Sequence, residues 1–271
     1  MPTQKTSGER LFDWILARYT HRHVSEKSWI GCMAEDFRME LIDFEELLLR
    51  SSSLMFLRRV IRNANWYLET FDGLDELEIR RRFDRDYLGD VLAIKRHERP
   101  QLVKLVFDAA IASQKVIPRR LRRSLEKHAT DRNQRCEIGG CIINYSFVDT
   151  PDSLSLDHIW PRALGGESEQ WNLRVACLSC NSQRKDLVDF TDVHYEHLHA
   201  QSDAVIKNPY MLGTETSNAL LFAALMRAKN MCERCGTPVN TMDGKVLYGR
   251  RQYGENYNLF NIEVLCPQHG K

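Results

Sequence analysis

Seven of the eight cysteines fall into two groups whose spacing is typical of metal ligands. A pair joined by a tight turn followed by a second pair can supply the four ligands of a tetrahedral Zn²⁺ site, and such a site has no open position for water. We therefore expect two structural zinc ions. Disulfides or buried free thiols are the alternative, which the absence of an apolar secretory signal in MPTQKTSGER disfavours. The expected ligands are Cys136, Cys141, Cys177 and Cys180 for the first site, and Cys232, Cys235, Cys266 and His269 for the second.

An Asp-His pair precedes the Cys177 and Cys180 pair in the string LDHIWPRALGGESEQWNLRVACLSCNSQRKD, residues 156–186. A neutral imidazole near pH 7 suits a general base that takes a proton from water. Carboxylate and amide oxygens, such as those of Asp157 and Asn181, suit Mg²⁺ or Mn²⁺. Adjacent residues of a strand face opposite sides, so Asp157 and His158 would converge on one phosphate only at a bent strand end.

This string resembles the HNH endonuclease family from about Cys136 to Asp186, through its DHI-x-P element, Gly-Gly turn, Asn-Leu, CxxCN step and following Lys. In the family pattern a central Asn follows the His by fourteen residues and the last metal ligand follows it by twenty-three, where this chain has Asn172 and Asn181. Many members carry His at the last position. The first cysteine turn, CEIGGC, also departs from the pattern, with four intervening residues where two are usual.

The resemblance implies a ββα-metal core that hydrolyses phosphodiester bonds in DNA, double-stranded DNA above all. His158 would be the general base, Asp157 and Asn181 would bind the catalytic Mg²⁺ or Mn²⁺, and Asn172 would brace the loop and orient His158. Fusion to a helical N-terminal domain resembles effectors of bacterial anti-phage or restriction systems. Two alternatives stay open: a zinc-stapled nucleic-acid-binding module with little or no catalysis, and an RNA nuclease. In the first, His158 is a buried structural residue, Asp157 a turn or capping residue and Asn181 a helix cap.

Apolar periodicity predicts an α+β protein with an all-helical N-terminal domain. Helices are expected at Leu11–Tyr19, around Leu54–Leu68, from Leu74 to His97, over Gln101–Lys115 and after Pro118. We expect residues 1–130 to bind a substrate or a protein partner and 131–190 to form the nuclease domain. Residues 191–271 would hold a helical connector and a degenerate Cys3His zinc module. Short β-like pieces, IINYSFV and LSLDHIW, are expected after Cys136.

The net charge is only +1, but it is unevenly distributed. Cations cluster immediately before the first cysteine pair, and two more follow Cys180. A local basic face can bind nucleic acid even when the whole chain is balanced; a solvated helix face is the alternative. The expected phosphate contacts are Arg119, Arg120, Arg122, Arg123, Lys127, Arg184 and Lys185.

The second cysteine group repeats part of the first, since NLRVACLSC (172–180) is similar to NIEVLCPQH (261–269). Fourteen residues before Asn261 lies Leu247, so this module lacks an Asp-His pair and should not be catalytic. Its Arg and Tyr residues could contact nucleic acid or form an exposed loop; these are Tyr248, Arg250, Arg251, Tyr253 and Tyr257. We expect surface histidines at His194, His197 and His199 in a helical stretch, and a small buried side chain at Cys32.

Composition excludes several classes of protein. Of 271 residues, 43% are hydrophobic and 28% charged, which is ordinary for a globular chain long enough for a sizeable core. The longest apolar run, Ala219 to Met226, is far shorter than the ~20 residues that span a bilayer. A cytoplasmic protein that makes no use of a membrane is expected.

Overall fold

The structure, a computed structural model, describes residues 4–19, 41–92, 94–192, 199–200, 215–242, 246–251, 257–258 and 262–270. Its helices are α1 (Ser7–Tyr19), α2 (Leu41–Thr70), α3 (Glu76–Arg82), α4 (Arg99–Gln114), α5 (Arg119–Asp131), α6 (Leu178–Arg184) and α7 (Glu215–Arg227). Its strands are β1 (Leu154–His158), β2 (Leu173–Cys177), β3 (His199–Ala200), β4 (Leu247–Arg250), β5 (Tyr257–Asn258) and β6 (Ile262–Leu265). Cys32, His194, His197, Tyr253 and Asn261 lie outside the described residues.

The expected mixture of N-terminal helices and small sheets is confirmed, with differences in detail. The helix expected to reach His97 instead passes from α3 into a π-helix over Phe83–Val91, in which Leu92 N–H bonds to Tyr87 O at 3.0 Å. IINYSFV forms no strand, and an isolated bridge joins Asn144 to Ser153. The stretch expected to carry His199 on a helix contains the two-residue strand β3. Among the described residues, no helix has the length and apolar character needed to cross a membrane.

The chain divides into two compact units. The first contains residues 1–116 together with Trp160–Asn172, and the second contains Ile117–Ile159 and Leu173–Lys271. This division differs from the expected boundary at residue 130 in two ways. Helix α5 belongs to the second unit, and the segment between β1 and β2, here called the hairpin loop (Trp160–Asn172), belongs to the first.

Apolar faces of α1, α2 and α4 pack together in the first unit and bury Leu11, Ile15, Leu57 and Phe107 completely. Phe83 from the π-helix stands edge-on to Tyr67 and to Phe107, with ring centroids 5.4 Å apart in both pairs. Such edge-to-face pairs stabilise a core beyond the area that they bury. Helix α1 starts with a capping box, in which Glu9 N–H donates to Thr6 Oγ1 at 3.0 Å and Thr6 N–H donates to Glu9 Oε2 at 2.7 Å.

Two antiparallel hairpins organise the second unit. Strand β1 pairs with β2 so that Asp157 lies opposite Arg174 and His158 opposite Leu173, and β4 pairs with β6 so that Arg250 lies opposite Ile262. Helix α5 places Ala129 in the core cluster of the first hairpin. Leu221, Ala223, Ala224 and Leu225 of helix α7 lie in the core cluster of the second hairpin. A third antiparallel pair joins β3 to β5.

The same backbone pattern occurs before both hairpins. Glu137 N–H donates to Val175 O at 2.9 Å, and its carboxylate accepts from Val175 N–H at 3.0 Å. Glu233 makes the matching pair of bonds to Val264, at 2.9 and 2.8 Å. The similarity between the two cysteine segments therefore extends to a shared arrangement: a helix, a metal-ligand turn that begins Cys-Glu, and a hairpin.

Candidate active site and metal centres

The first cysteine group comes together as the spacing predicts. The sulfurs of Cys136, Cys141, Cys177 and Cys180 all lie within 4.8 Å of one another, and none is in a disulfide. Cys177 ends β2 and caps α6, because its sulfur accepts a bond from Cys180 N–H at 3.4 Å. Hydrogen bonds among the four thiols lower the pKa of Cys136 and raise the pKa of Cys141 and of Cys180.

The unusual length of the CEIGGC turn has a local explanation. Gly140 N–H bonds to Cys136 O and Gly236 N–H bonds to Cys232 O, with φ values of 69° and 70°, so the two turns share one backbone form. Gly139 therefore stands where the second turn has the ligand Cys235. A Cβ at Gly139 would lie 2.8 Å from the Cys180 sulfur and 3.3 Å from the Cys141 sulfur. The first turn has thus moved its ligand two residues along, to Cys141, and a glycine leaves space for that sulfur.

The second group also forms a compact cluster. The ligand atoms of Cys232, Cys235, Cys266 and His269 lie within 4.8 Å of one another. His269 Nδ1 is 3.2 Å from the Cys266 sulfur and 3.7 Å from the Cys232 sulfur. Four sulfur ligands, or three with one imidazole, are the donor sets of tetrahedral zinc sites. Both clusters could therefore bind zinc.

Asp157 and His158 occupy the end of β1 in a regular ladder, so they face opposite sides of the hairpin. Asp157 is 4% exposed, whereas His158 is half-buried. The structure does not bend the strand end so that the two side chains converge.

The contacts of Asp157 are the main finding that the sequence did not predict. Its carboxylate accepts bonds from Arg184 Nη1 at 2.7 and 2.8 Å and from Arg174 Nε at 2.8 Å. Arg184 is 2% exposed, and it also donates to His158 O and Ile159 O, both at 2.5 Å. Burial lowers the pKa of the Arg184 guanidinium, and the charge of Asp157 opposes that effect.

Arg184 is therefore placed differently from the expected phosphate contact. A guanidinium that is 2% exposed and bonded to a carboxylate and two carbonyls does not face solvent. Lys185, the other expected contact after Cys180, is exposed and ends α6 with φ of 53°. Of the two cations, the arrangement leaves Lys185 as the one that can reach a ligand.

Asn181 and Asp157 fit the expected catalytic metal unequally. The Asn181 side chain bonds through its amide nitrogen to Ser155 Oγ at 2.7 Å and to Leu156 O at 3.3 Å, which leaves the amide oxygen to bind a cation. Both carboxylate oxygens of Asp157 are already bonded to guanidinium groups. A carboxylate has about four acceptor positions, and these contacts use most of them. As arranged here, Asp157 does not fit the role of metal ligand.

Asn172 lies in the buried part of the hairpin loop, at 2% exposure. Its Oδ1 accepts from Trp160 N–H at 2.8 Å, and its Nδ2 donates to Trp160 O at 3.1 Å and to Glu167 O at 3.0 Å. These three bonds close the loop within itself. This arrangement matches the bracing role that the resemblance implied, although no contact defines how Asn172 would orient the histidine.

The basic residues of α5 are all exposed: Arg119, Arg120, Arg122, Arg123 and Lys127. Leu125 and Ala129 of this helix pack with the β1–β2 hairpin. Arg122 forms an i,i+4 ion pair with Glu126 at 3.4 Å. The cluster therefore presents positive charge from the same unit that carries His158.

The second hairpin has no Asp-His pair at the positions that correspond to Asp157 and His158. Its strand register also corrects which residues occupy those positions. Val264 corresponds to Val175, so the residues that correspond to Asp157 and His158 are Gly249 and Arg250 rather than Leu247. The shorter connection between β4 and β6 causes the difference. Of the other residues considered there, Arg251 forms an ion pair with Glu233.

Sequence reasoning missed Arg174 and Glu167. Arg174 lies directly opposite Asp157, and a cross-strand acid–base pair would have been a usable signal once the hairpin register was known. The Glu167 carboxylate accepts from Ser7 N–H at 2.8 Å, across a separation of 160 residues. No local pattern could have indicated that bond.

Comparison with known families agrees with the resemblance. A family model described as HNH endonuclease matches residues 148–191, a segment that includes Asp157, His158, Asn172 and Asn181. The HNH resemblance of this segment is thereby confirmed. Comparisons with curated proteins and with solved structures give no significant match.

The relocated ligand of the first turn leads to a test of the metal centres. Cys141→Ser should reduce bound zinc by one ion per chain, because the cluster loses one of its four sulfurs. Zinc would be counted by mass spectrometry under native conditions. Full zinc content in Cys141→Ser alone would contradict this ligand set.

The Asp157 contacts predict a stability effect that a metal ligand would not produce. Asp157→Asn should lower the free energy of unfolding by about 3–5 kcal/mol, because it leaves the buried guanidinium of Arg184 without a counter-charge. Asp131→Asn, at an exposed position on α5, is the matched control and should change little. Urea denaturation would measure both. Unchanged stability in Asp157→Asn would favour the metal-ligand role expected from the family pattern.

Proposed function

We propose that this protein is a metal-dependent endonuclease of the HNH class that hydrolyses phosphodiester bonds in DNA through a ββα-metal site. The observation that carries the proposal is a half-buried His158 at the end of β1, inside the segment that matches the family. Strands β1 and β2 are followed directly by α6, an order consistent with that site. The two metal clusters would hold zinc in a structural role, since each supplies four protein ligands.

His158 is the proposed general base. Hydrolysis of a phosphodiester requires water to lose a proton as it attacks phosphorus, and imidazole has a suitable affinity for that proton near neutral pH. Arg184 fixes the backbone around this residue by bonding to the carbonyl oxygens of His158 and Ile159. The histidine is thereby placed on a backbone that is fixed before substrate binds. This lowers the free energy needed to reach a reactive geometry.

A bound Mg²⁺ or Mn²⁺ would supply charge stabilisation for the phosphate, and the Asn181 amide oxygen is the described group that could hold it. The role of Asp157 proposed here is to pair with Arg184 and Arg174 and so to fix β1 against α6 and β2. Asp157 therefore supports the site without contacting the reacting phosphate.

The exposed cations of α5 are the proposed phosphate-binding surface. From Arg119 to Lys127 the helix rises about 12 Å, enough to span more than one phosphate of a strand. Lys185 adds a further exposed cation at the end of α6. Double-stranded DNA, with its dense phosphate charge, is the proposed substrate, and RNA is the competing outcome that the substrate test distinguishes. The fusion of this segment to a set of N-terminal helices supports the further proposal that the protein acts in bacterial anti-phage defence or restriction.

The role of His158 is tested by His158→Ala, which should reduce Mg²⁺-dependent nicking of a plasmid by about 10²–10⁴-fold. His128→Ala, which removes an exposed histidine from α5, is the control and should cleave normally. Zinc content and DNA affinity should match those of the unmodified chain. Cleavage by His158→Ala at the normal rate would remove His158 from the base role.

The substrate is tested by incubating the unmodified protein with matched single-stranded DNA, double-stranded DNA and RNA. Faster cleavage of RNA would refute the DNA assignment.

The α5 surface is tested by salt dependence. Replacing Arg119, Arg120 and Arg123 with Gln should weaken DNA binding and reduce the slope of log K against log salt by up to about 0.9 per lost phosphate contact. The matched control replaces Arg81, Arg85 and Lys104, which are about as exposed but lie in ion pairs. It removes the same charge and should leave the slope unchanged. Equal slopes for the two triple variants would exclude α5 as the phosphate-binding surface.

A further inference from the structure

Helix α1 makes an unusually close contact with the hairpin loop. A Cβ built at Gly8 would lie 1.8 Å from Leu164 O and 2.3 Å from Trp160 Nε1, so no other residue fits at this position. Gly8 N–H also donates to Gly165 O at 3.0 Å. Gly8 has helical rather than left-handed backbone geometry, so its lack of a side chain serves the contact and not the helix.

Glu167 links the same helix to Asn172. Its carboxylate accepts from Ser7 N–H at 2.8 and 3.0 Å and from Ser7 Oγ at 2.5 Å, at the positive end of α1. Its carbonyl oxygen accepts from Asn172 Nδ2 at 3.0 Å. One residue of the loop is thus bonded to α1 through its side chain and to Asn172 through its backbone.

Further contacts fix the loop along its length. Phe12 of α1 packs against Trp160 with ring centroids 5.7 Å apart, and a Cβ at Gly165 would lie 2.7 Å from Ala109 Cβ of α4. Ser168 Oγ donates to Lys115 O at 2.9 Å. Helices α1 and α4 therefore pack against the loop at several points along its length.

We propose that α1 is a positioning element for the nuclease reaction, with Gly8 and Glu167 as the residues through which it acts. This inference rests on the proposed function. The loop begins at Trp160, two residues after His158, and ends at Asn172, next to Leu173, the strand partner of His158. Contacts that fix both loop ends therefore fix the backbone that follows the proposed base and the backbone of its strand partner, Leu173. Gly8 and Glu167 touch no reacting group and act through Trp160 and Asn172.

The test compares two glycines on the same half of the chain. Gly8→Ala places a methyl group where Leu164 O and Trp160 Nε1 lie, although alanine is the better helix former. Gly73→Ala is the control, because nothing lies within 4 Å of a Cβ at that position. We expect Gly8→Ala to lower kcat by about 100-fold, a loss of the size caused by misplacing a catalytic group by about 1 Å. KM, oligonucleotide affinity and zinc content should be unchanged in both variants.

Glu167 supplies a milder series in case Gly8→Ala fails to fold. Glu167→Gln keeps an oxygen that can accept from Ser7 N–H, whereas Glu167→Ala removes it, so kcat should fall more in the alanine variant than in the glutamine variant. If Glu167 had a purely structural role, Glu167→Ala would instead lower stability or zinc content, and it would not lower kcat at unchanged KM. Normal kcat in Glu167→Ala, or a parallel loss of zinc, would overturn the proposal.

Amide hydrogen exchange gives a readout that does not depend on cleavage. Trp160 N–H, which donates to Asn172 Oδ1, should exchange faster in Gly8→Ala than in Gly73→Ala. Unchanged exchange at Trp160 would refute the link between α1 and the loop even if the protein cleaves DNA. If the unmodified chain cleaves nothing while the exchange difference is seen, the proposed function fails and the structural link remains.

Discussion

The ion pair between Asp157 and Arg184 is the interaction on which the rest of the proposed site depends. Helix α6 has seven residues, too few to be stable in isolation, so it must be held by contacts outside itself. Its first turn carries Cys180 of the metal cluster, and its last residue is Arg184, which bonds to Asp157 and to two carbonyls of β1 and the residue after it. The helix is thus fixed at one end by sulfur ligands and at the other by a buried charge pair. Asn181 lies between these two points, so its position follows from them.

The ligand sets were predictable because metal-binding turns are local. A pair of metal ligands a few residues apart has few ways to converge, and two such pairs supply the four ligands of one tetrahedral site. The Asp-His pair was equally visible. The task of Asp157 was not, because it depends on Arg174 across the hairpin and on Arg184 one helix later. Sequence spacing alone does not indicate whether Arg184, the arginine that follows the CxxCN step, lies on the surface or beneath β1.

The boundary between the two units could be predicted only in part from the sequence. The helices of the first unit follow from apolar periodicity, and α4 and α5 begin close to Pro100 and Pro118 as expected. The inclusion of the hairpin loop in that unit depends on contacts between residues about 160 positions apart, such as Ser7 with Glu167. These contacts leave a local trace in the sequence at Gly8, Gly165 and Gly166, but glycines alone do not reveal what approaches them. The long-range part of the fold was therefore beyond sequence reasoning.

Comparison of the two cysteine modules separates what holds such a hairpin from what makes it reactive. Both retain a Cys-Glu turn, a glutamate bonded twice to the central valine of the last strand, and four ligand atoms within 4.8 Å. The scaffold is therefore maintained without an Asp-His pair, since Gly249 and Arg250 occupy those positions in the second hairpin. The ligand atoms and the glutamate bonds are common to both modules, so the residues that differ between them are the ones that can distinguish the proposed reactive hairpin. On this argument the proposed nuclease site would depend on His158 together with Asp157 and Arg174, and the second hairpin has Arg250, Gly249 and Glu263 at the corresponding strand positions.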